Sequence, residues 1–280
     1  MRLTGKEKEV PLVSIFTPTY NRAYTLGRLY ESLIIQQQPH DSVEWVIVDD
    51  GSTDGTADLV KQWGADSKAP FKIFYIYQEN QGKHVAWNTA LDNVSGELFF
   101  PIDSDDYLVS NALRQVKVMY QKSNKQQNLM GFSGVRVFPG GDFSGGKLND
   151  STINYIDYSP TDRLSKGISG DLAEVFFTER IKRYPFPVYR DEKFVPEAVV
   201  YNRFSNDGYR IRGFGIPLYH CEYLEDGYTK NVNSLLIRNW KGYSLYIREL
   251  MHCSSSLVSK MMPLGGYCYR YLLKCLHLYK

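Results

Sequence analysis

Short apolar runs and stretches of helical period alternate along the first hundred residues. Val13 to Phe16 is an apolar run that stops at Thr17-Pro18. A helix is predicted from about Thr25, because Leu26, Leu29, Tyr30, Leu33 and Ile34 fall at i, i+3, i+4, i+7 and i+8. Trp45 to Val48 is a second run, ended by Asp49-Asp50-Gly51. A helix is predicted from about Thr56 to Trp63, and a third strand from Phe71 to Tyr77. Trp87, Ala90, Leu91 and Val94 then give another helical stripe, closed by Ser95-Gly96. Leu98 to Ile102 is a fourth strand running into Asp103-Ser104-Asp105-Asp106.

That order predicts an α/β fold with a mostly parallel central sheet and right-handed crossovers. Ligands of such sheets sit beyond the carboxyl ends of the strands. Three of the four strand ends carry polar clusters: Thr17 to Arg22, Asp49 to Thr53, and Asp103 to Asp106. They are therefore expected to converge on one edge. Further along, Gly140 to Asp150 reads as a loop. The prolines of Tyr184-Pro185-Phe186-Pro187-Val188 forbid helix there. A helix is expected from about Pro196 to Phe204, and after Gly227 the pattern turns helical, rich in Leu, Tyr and basic residues. The chain divides accordingly into an alternating strand–helix half at about 10–115, a less regular half at about 116–226, and a helical extension at 227–280.

Composition narrows the options. A net charge of +2 over 280 residues implies no general affinity for nucleic acid. The four cysteines, Cys221, Cys253, Cys268 and Cys275, form no C-x-x-C pair, so reduced thiols are expected. The opening MRLTGKEKEVPLV lacks an apolar signal core, and no run approaches the ~18 apolar residues of a membrane span. These points give the expectation of a cytoplasmic protein. The extension carries eight basic residues against the single acid Glu249 and is interleaved with aromatics. It is expected either to pack as a hairpin or dimer contact, or to lie on an anionic membrane surface.

Asp103 to Asp106 packs three acids into four positions, more than one helix cap requires, although a cap is the ordinary reading. Carboxylates that close repel unless a cation intervenes, and their hard oxygens suit Mg²⁺ or Mn²⁺. Asp49 to Gly55 has the composition of a turn, and Asp50 can also accept hydrogen bonds from a base or ribose. Lys83 opens a helix, where its charge opposes the dipole, so either a diphosphate or plain solvation accounts for it. No P-loop, dinucleotide fingerprint or G-x-S-x-G occurs.

The segments Val13 to Arg22, Val46 to Thr56, Asn80 to Lys83 with Ala86 and Asn88, and Asp103 to Asp106 together resemble the family 2 glycosyltransferases of the GT-A fold. The resemblance implies an inverting, metal-dependent transfer from a nucleotide diphosphate sugar, a UDP-sugar by expectation, to a glycan or lipid-linked acceptor in bacterial surface-polysaccharide assembly. It implies that Pro18, Thr19, Tyr20, Asn21 and Arg22 hold the nucleoside and that Asp50 bonds the base. Asp103 and Ser104 would lie near the ribose, Lys83 near the diphosphate, and the metal on Asp105, with Asp103 and His220 as further ligands. The family's Glu-Asp pair carrying the base is replaced here by Pro196-Glu197. Glu197 is the expected base, with Asp191 and Glu192 as reserves. Two alternatives stand beside this reading: a sugar nucleotidyltransferase, against which the missing glycines of Pro18 to Arg22 argue, and a non-catalytic sugar-nucleotide binding module, favoured if Glu197 points away from the pocket.

Overall fold

The computed structural model describes residues 10–36, 42–65, 69–144, 148, 155–222, 224–225, 227–228, 230–253 and 257–276. The amino-terminal nine residues, on which the expectation of no leader largely rests, lie outside them. The first half follows the hydrophobic pattern closely: β1 (Val13–Thr19), α1 (Ala23–Ile34), β2 (Val43–Asp49), α2 (Thr56–Ala65), β3 (Lys72–Tyr77), α3 (Lys83–Asn93) and β4 (Leu98–Pro101). β5 (Tyr107–Leu108), α4 (Ala112–Gln121), β6 (Leu129–Val137), β7 (Tyr155–Tyr158), β8 (Leu172–Phe177), α5 (Thr178–Ile181), α6 (Ala198–Asn206) and β9 (Arg210–His220) complete the sheet and its cover. The extension forms α7 (Val232–Arg238), α8 (Trp240–Cys253) and α9 (Leu257–Cys275).

The strands line up as β3-β2-β1-β4-β8-β6-β9-β5, with β7 pairing on β9. From β3 to β4 every pairing is parallel, as the crossovers predict. β8 enters antiparallel beside β4, and β6 pairs parallel with β9. Pleating sends alternate residues to opposite faces. Ile15, Trp45 and Ile47 pack under α1, α2 and α4, whereas Phe16, Val46 and Val48 pack under α3, α6 and α8. On the first face Tyr30 and Trp63 stack with ring centroids 4.3 Å apart, and Trp45 lies 5.8 Å from Trp63.

Glu44, buried on β2, accepts hydrogen bonds from Ser14 Oγ and from Ser95 N and Oγ. That ties the turn after α3 to the sheet. A Cβ on Gly96 there would sit 2.7 Å from Ser14 N, so the turn closes only with glycine. The extension is seated on the second face. Glu192 accepts from Lys241 N and Gly242 N at 2.7 and 2.8 Å and so caps the start of α8. Arg203 of α6 pairs with Glu249 of α8 at 3.0 Å, and Leu245 enters the second core.

Candidate active site

The strand ends are fastened to one another before any ligand is considered. Asp49 accepts from Ser52 N at 2.7 Å and from Tyr75 Oη at 2.6 Å. Asp50 accepts from Gln78 Nε2, Gln81 N and Gly82 N at 2.7, 2.9 and 2.7 Å, which draws the β3–α3 turn against β2. Asn21, in the left-handed region at φ 53°, accepts from Thr53 N at 2.8 Å and joins the turn after β1 to the turn after β2. Gly82 has φ +96°, and a Cβ on it would lie 1.9 Å from Lys193 O. That close approach brings the start of α3 against the segment leading to Glu197.

These contacts build a cleft of about 540 Å³ beyond the strand ends. Pro18, Thr19, Tyr20, Arg22, Asp50, Lys83, Asp103, Ser104 and Asp105 all line it, and Glu197 faces them from the start of α6. Lys83 Nζ reaches Asp103 Oδ1 at 2.6 Å and Glu197 Oε1 at 2.8 Å. The lining acids are Asp50, Asp103, Asp105, Asp106, Asp171, Glu197 and Glu222, against Arg22, Lys83 and Arg136. The surplus of carboxylates favours a cation-bridged anion over a bare one.

The electrostatics divide the acids. Burial works against the charge of Asp103, but Lys83 and Arg136 outweigh it and hold its carboxyl below the usual range. Burial and the Asp103 charge push Asp105 up, and Asp106 further up. Lys83 is lowered by burial and raised by Asp103 and Glu197; the carboxylates win, so it stays protonated. Asp105 is held from behind: Arg28 Nη2 donates to its carbonyl at 3.1 Å, pairs with Glu222 at 2.9 Å, and lies over the Tyr107 ring. Asp103 to Asp106 leads into a turn and β5, with α4 starting only at Ala112, so the cluster is no helix cap.

The remaining expected residues lie elsewhere. Asn21 does not line the cleft; its side chain is engaged in the turn contact. Glu192 is buried as the α8 cap, and Asp191 is exposed beside Lys241 at 3.4 Å, so neither reserve base reaches the cleft. His220 stacks on Tyr107 with ring centroids 4.8 Å apart, and no group of three metal-binding side chains occurs among the described residues. The sequence reading overlooked Arg136, His84 and the wall made by Phe186, Phe194 and Val195. Arg136 was visible as the single charge in the apolar run Leu129 to Val137; its Nε donates to Leu172 O at 2.9 Å. In a second, shallow depression of about 810 Å³ between α6 and α8, Arg203 pairs with Glu249 and Tyr184 donates to Asp207.

A mostly parallel sheet with an acidic cleft beyond its strand ends defines an α/β protein with its ligand site at the usual edge. Residues 14–167 match the description of glycosyl transferase family 2, more than half of the chain, and the chain belongs to that family. It is 32% identical over 174 residues to the Campylobacter jejuni GalNAc(5)-diNAcBac-PP-undecaprenol beta-1,3-glucosyltransferase, covering 60% of this chain and 52% of that protein. Matches to the curated relatives span from 15% to 52% of their own lengths. Staphylococcus aureus TarS 1-349 in complex with UDP-GlcNAc superposes with a TM-score of 0.61 at 18% identity, over 93% of this chain and 72% of that one. The mannosyltransferase PcManGT of Pyrobaculum calidifontis, in complex with GDP-Man and Mn2+, gives 0.59 at 20%, over 95% and 71%. These two likenesses establish the GT-A fold. Family membership sets aside the nucleotidyltransferase alternative.

Proposed function

We propose that the chain transfers a sugar from a nucleotide diphosphate donor, a UDP-sugar, to an acceptor hydroxyl with inversion, in the assembly of a bacterial surface glycan. The observation that carries this reading is the Lys83 bridge. It holds the Glu197 carboxylate in the cleft that Asp103 and Asp105 line. Inversion requires a base on the face of the sugar opposite the leaving group, and Glu197 is the cleft carboxylate we assign to that task. It also disfavours a binding module, which would have no use for a carboxylate there. The UDP-GlcNAc held by TarS and the undecaprenol in the name of the Campylobacter relative support a UDP-sugar donor and a lipid-linked acceptor.

In this mechanism Pro18, Thr19, Tyr20 and Arg22 receive the nucleoside at the end of β1, beside Asp50. Asp103 and Asp105 would hold Mn²⁺ or Mg²⁺. Asp105 fits that role, because its carboxyl is pushed up by burial and by Asp103 and so gains from a cation. Two carboxylates suffice for hard ions that take their other ligands from phosphate and water. Held there, such an ion would supply charge neutralisation to a diphosphate leaving group. Lys83 keeps Glu197 turned into the cleft, and Glu197 takes the acceptor hydroxyl's proton as that oxygen attacks the anomeric carbon. We place the domain boundary near residue 227, with the helical extension completing the cleft through Val232, Leu236 and Tyr246.

Incubation with a panel of nucleotide diphosphate sugars, with Mn²⁺, with Mg²⁺ and with a chelator, tests the reading through release of the free nucleotide diphosphate. Metal-dependent release from one donor class is expected. Binding of a donor with no release under any condition would assign the chain to the binding modules.

A further inference from the structure

Helix α9 turns its apolar side outward. Met261, Gly265, Cys268, Tyr269, Leu272, Cys275 and Leu276 recur at i, i+4, i+7, i+8, i+11, i+14 and i+15, and every one is exposed. Met261, Tyr269, Leu272 and Leu276 are each between 59% and 65% exposed. The stripe contains no charge. The opposite side of the helix packs inward: Leu264 and Tyr267 join the cluster around Leu236, Tyr243 and Ile247. Arg270 bonds Asn233 Oδ1 and Tyr243 Oη, each at 3.0 Å, and Lys274 donates to Ile237 O at 3.4 Å. A surface helix of a finished globule buries such a stripe; this one presents it.

Charge decides what covers it. After Glu249 the chain has no acid, while Lys260, Arg270 and Lys274 all lie on α9. An isologous contact with a second copy would set two wholly basic helices against each other, which repels. An anionic lipid surface attracts them, and the positive side chains stand within a helix diameter of the stripe, about 10 Å, close to the screening length at about 0.1 M salt. Tyr269 and Tyr271 add the rings with polar tips that settle at headgroup depth. Among the described residues no helix is long and apolar enough to cross a membrane.

We propose that α9 is the docking helix by which the chain lies on an anionic lipid bilayer, its stripe inserted among the headgroups. The position has a consequence for the cleft. α9 is bonded to α7 through Asn233 and Ile237, and α7 contributes Val232 and Leu236 to the cleft lining. Docking therefore places the cleft one helix layer from the lipid surface. The docking itself does not depend on glycosyl transfer, so it is tested without turnover.

Flotation of the full chain with vesicles of phosphatidylcholine containing one-third phosphatidylglycerol is the test, with pure phosphatidylcholine as control. Binding to the anionic vesicles at low salt is expected, several-fold weaker at high salt and absent on the control. Bound chain should protect Cys268 and Cys275 from a water-soluble maleimide. Leu272→Glu and, separately, Tyr269→Glu should cut binding about tenfold or more, with thermal unfolding unchanged because both side chains are exposed. Absence of flotation at low salt overturns the proposal, as does flotation that neither variant reduces. A dimer that Leu272→Glu dissolves, without vesicle binding by the wild type, would give the stripe to a second copy.

Discussion

The carboxyl edge of β1 to β4 and the α7–α9 extension are built on opposite plans. At the strand ends, short polar side chains are tied to backbone by hydrogen bonds: Asp49, Asp50, Asn21 and Asp54 each fix a turn. In the extension the rings of Trp240, Tyr243 and Tyr267 interlock, with centroids 4.8 to 5.5 Å apart, and the outermost helix leaves its apolar stripe exposed. The first plan holds a few polar atoms still for a small ligand, so that ordering is not left to the moment of binding. The second makes a broad surface that needs a partner to cover it. One chain thus combines a preorganised edge for a nucleotide with an unfinished face for an extended surface.

The strongest way to break the comparison is at the cleft. Glu197→Gln keeps size and hydrogen bonding but removes the base, and should lower kcat about 10²–10⁴-fold with donor affinity retained. Asp105→Ala should lower metal-dependent turnover by a similar factor and, unlike the first variant, weaken donor binding in the presence of metal. Titration of donor against each variant, alongside kcat, separates them. If both lose donor affinity equally, the cleft is not divided into a base side and a diphosphate side.

Stability offers the next contrast. Trp45 is fully buried in the stack with Tyr30 and Trp63. Trp45→Ala should cost about 3–5 kcal/mol in urea unfolding. Trp240 lies among partly buried rings of the third cluster, so Trp240→Ala should cost clearly less. Equal losses would mean that the extension is as tightly integrated as the sheet.

The two regions were also unequally legible. β1 to β4 and α1 to α3 could be placed because each pairs a clear period with a turn of definite chemistry, and because the motif residues lie within a few positions of a strand end. Nine of the ten strand-end residues expected in the cleft line it; Asn21 does not, since its left-handed backbone turns the amide toward Thr53. The far wall was not legible. Phe186, Phe194 and Val195 lie on the segment between α5 and α6, and Arg136 on β6, two parts of the chain brought together by the antiparallel entry of β8 between β4 and β6. No local period encodes those crossings. Glu192 stands in the sequence as a reserve base, yet its partner, the start of α8, lies 49 residues further on. The extension was read as helical and basic, but which side of α9 faces out depended on its packing against α7 and α8.

Asp50 tests the preorganised edge more gently. Its carboxylate accepts three hydrogen bonds, two from backbone N–H groups, at a buried position. Asp50→Asn turns a donor toward donors and should cost about 2–3 kcal/mol. The β3–α3 turn should loosen, and with it the placing of Lys83, so donor affinity falls together with stability. A loss of donor affinity at unchanged stability would instead mean that Asp50 acts on the ligand alone.

The smallest expected effect is a pH slope, and it comes from β8, near the cleft residues Arg136, Glu197 and Asp171. Glu174 of β8 is partly buried; burial acts against its charge and outweighs Arg136 and Arg163, with Glu197 and Asp171 adding repulsion, so its carboxyl is held at about 7 against an ordinary 4.5. Between those values the folded chain keeps a proton that the unfolded chain has released. The folded state binds more protons there, so this group makes stability fall as pH rises from about 4.5 to about 7, and above that its full cost stands. Asp105 and Asp106, also raised, act in the same direction. The informative quantity is therefore the difference between wild type and Glu174→Gln. Urea unfolding at about pH 5 and about pH 8 should show the wild type losing on the order of 1–2 kcal/mol more than the variant across that interval, a modest figure because the side chain keeps some contact with solvent. The variant's gain at the higher pH should come without any change at the strand ends of β1 and β2, whose polar groups are satisfied locally. An identical slope in both proteins would show that Glu174 is already paired as a carboxylate, and that β8 is as well matched internally as the strand ends of β1 and β2.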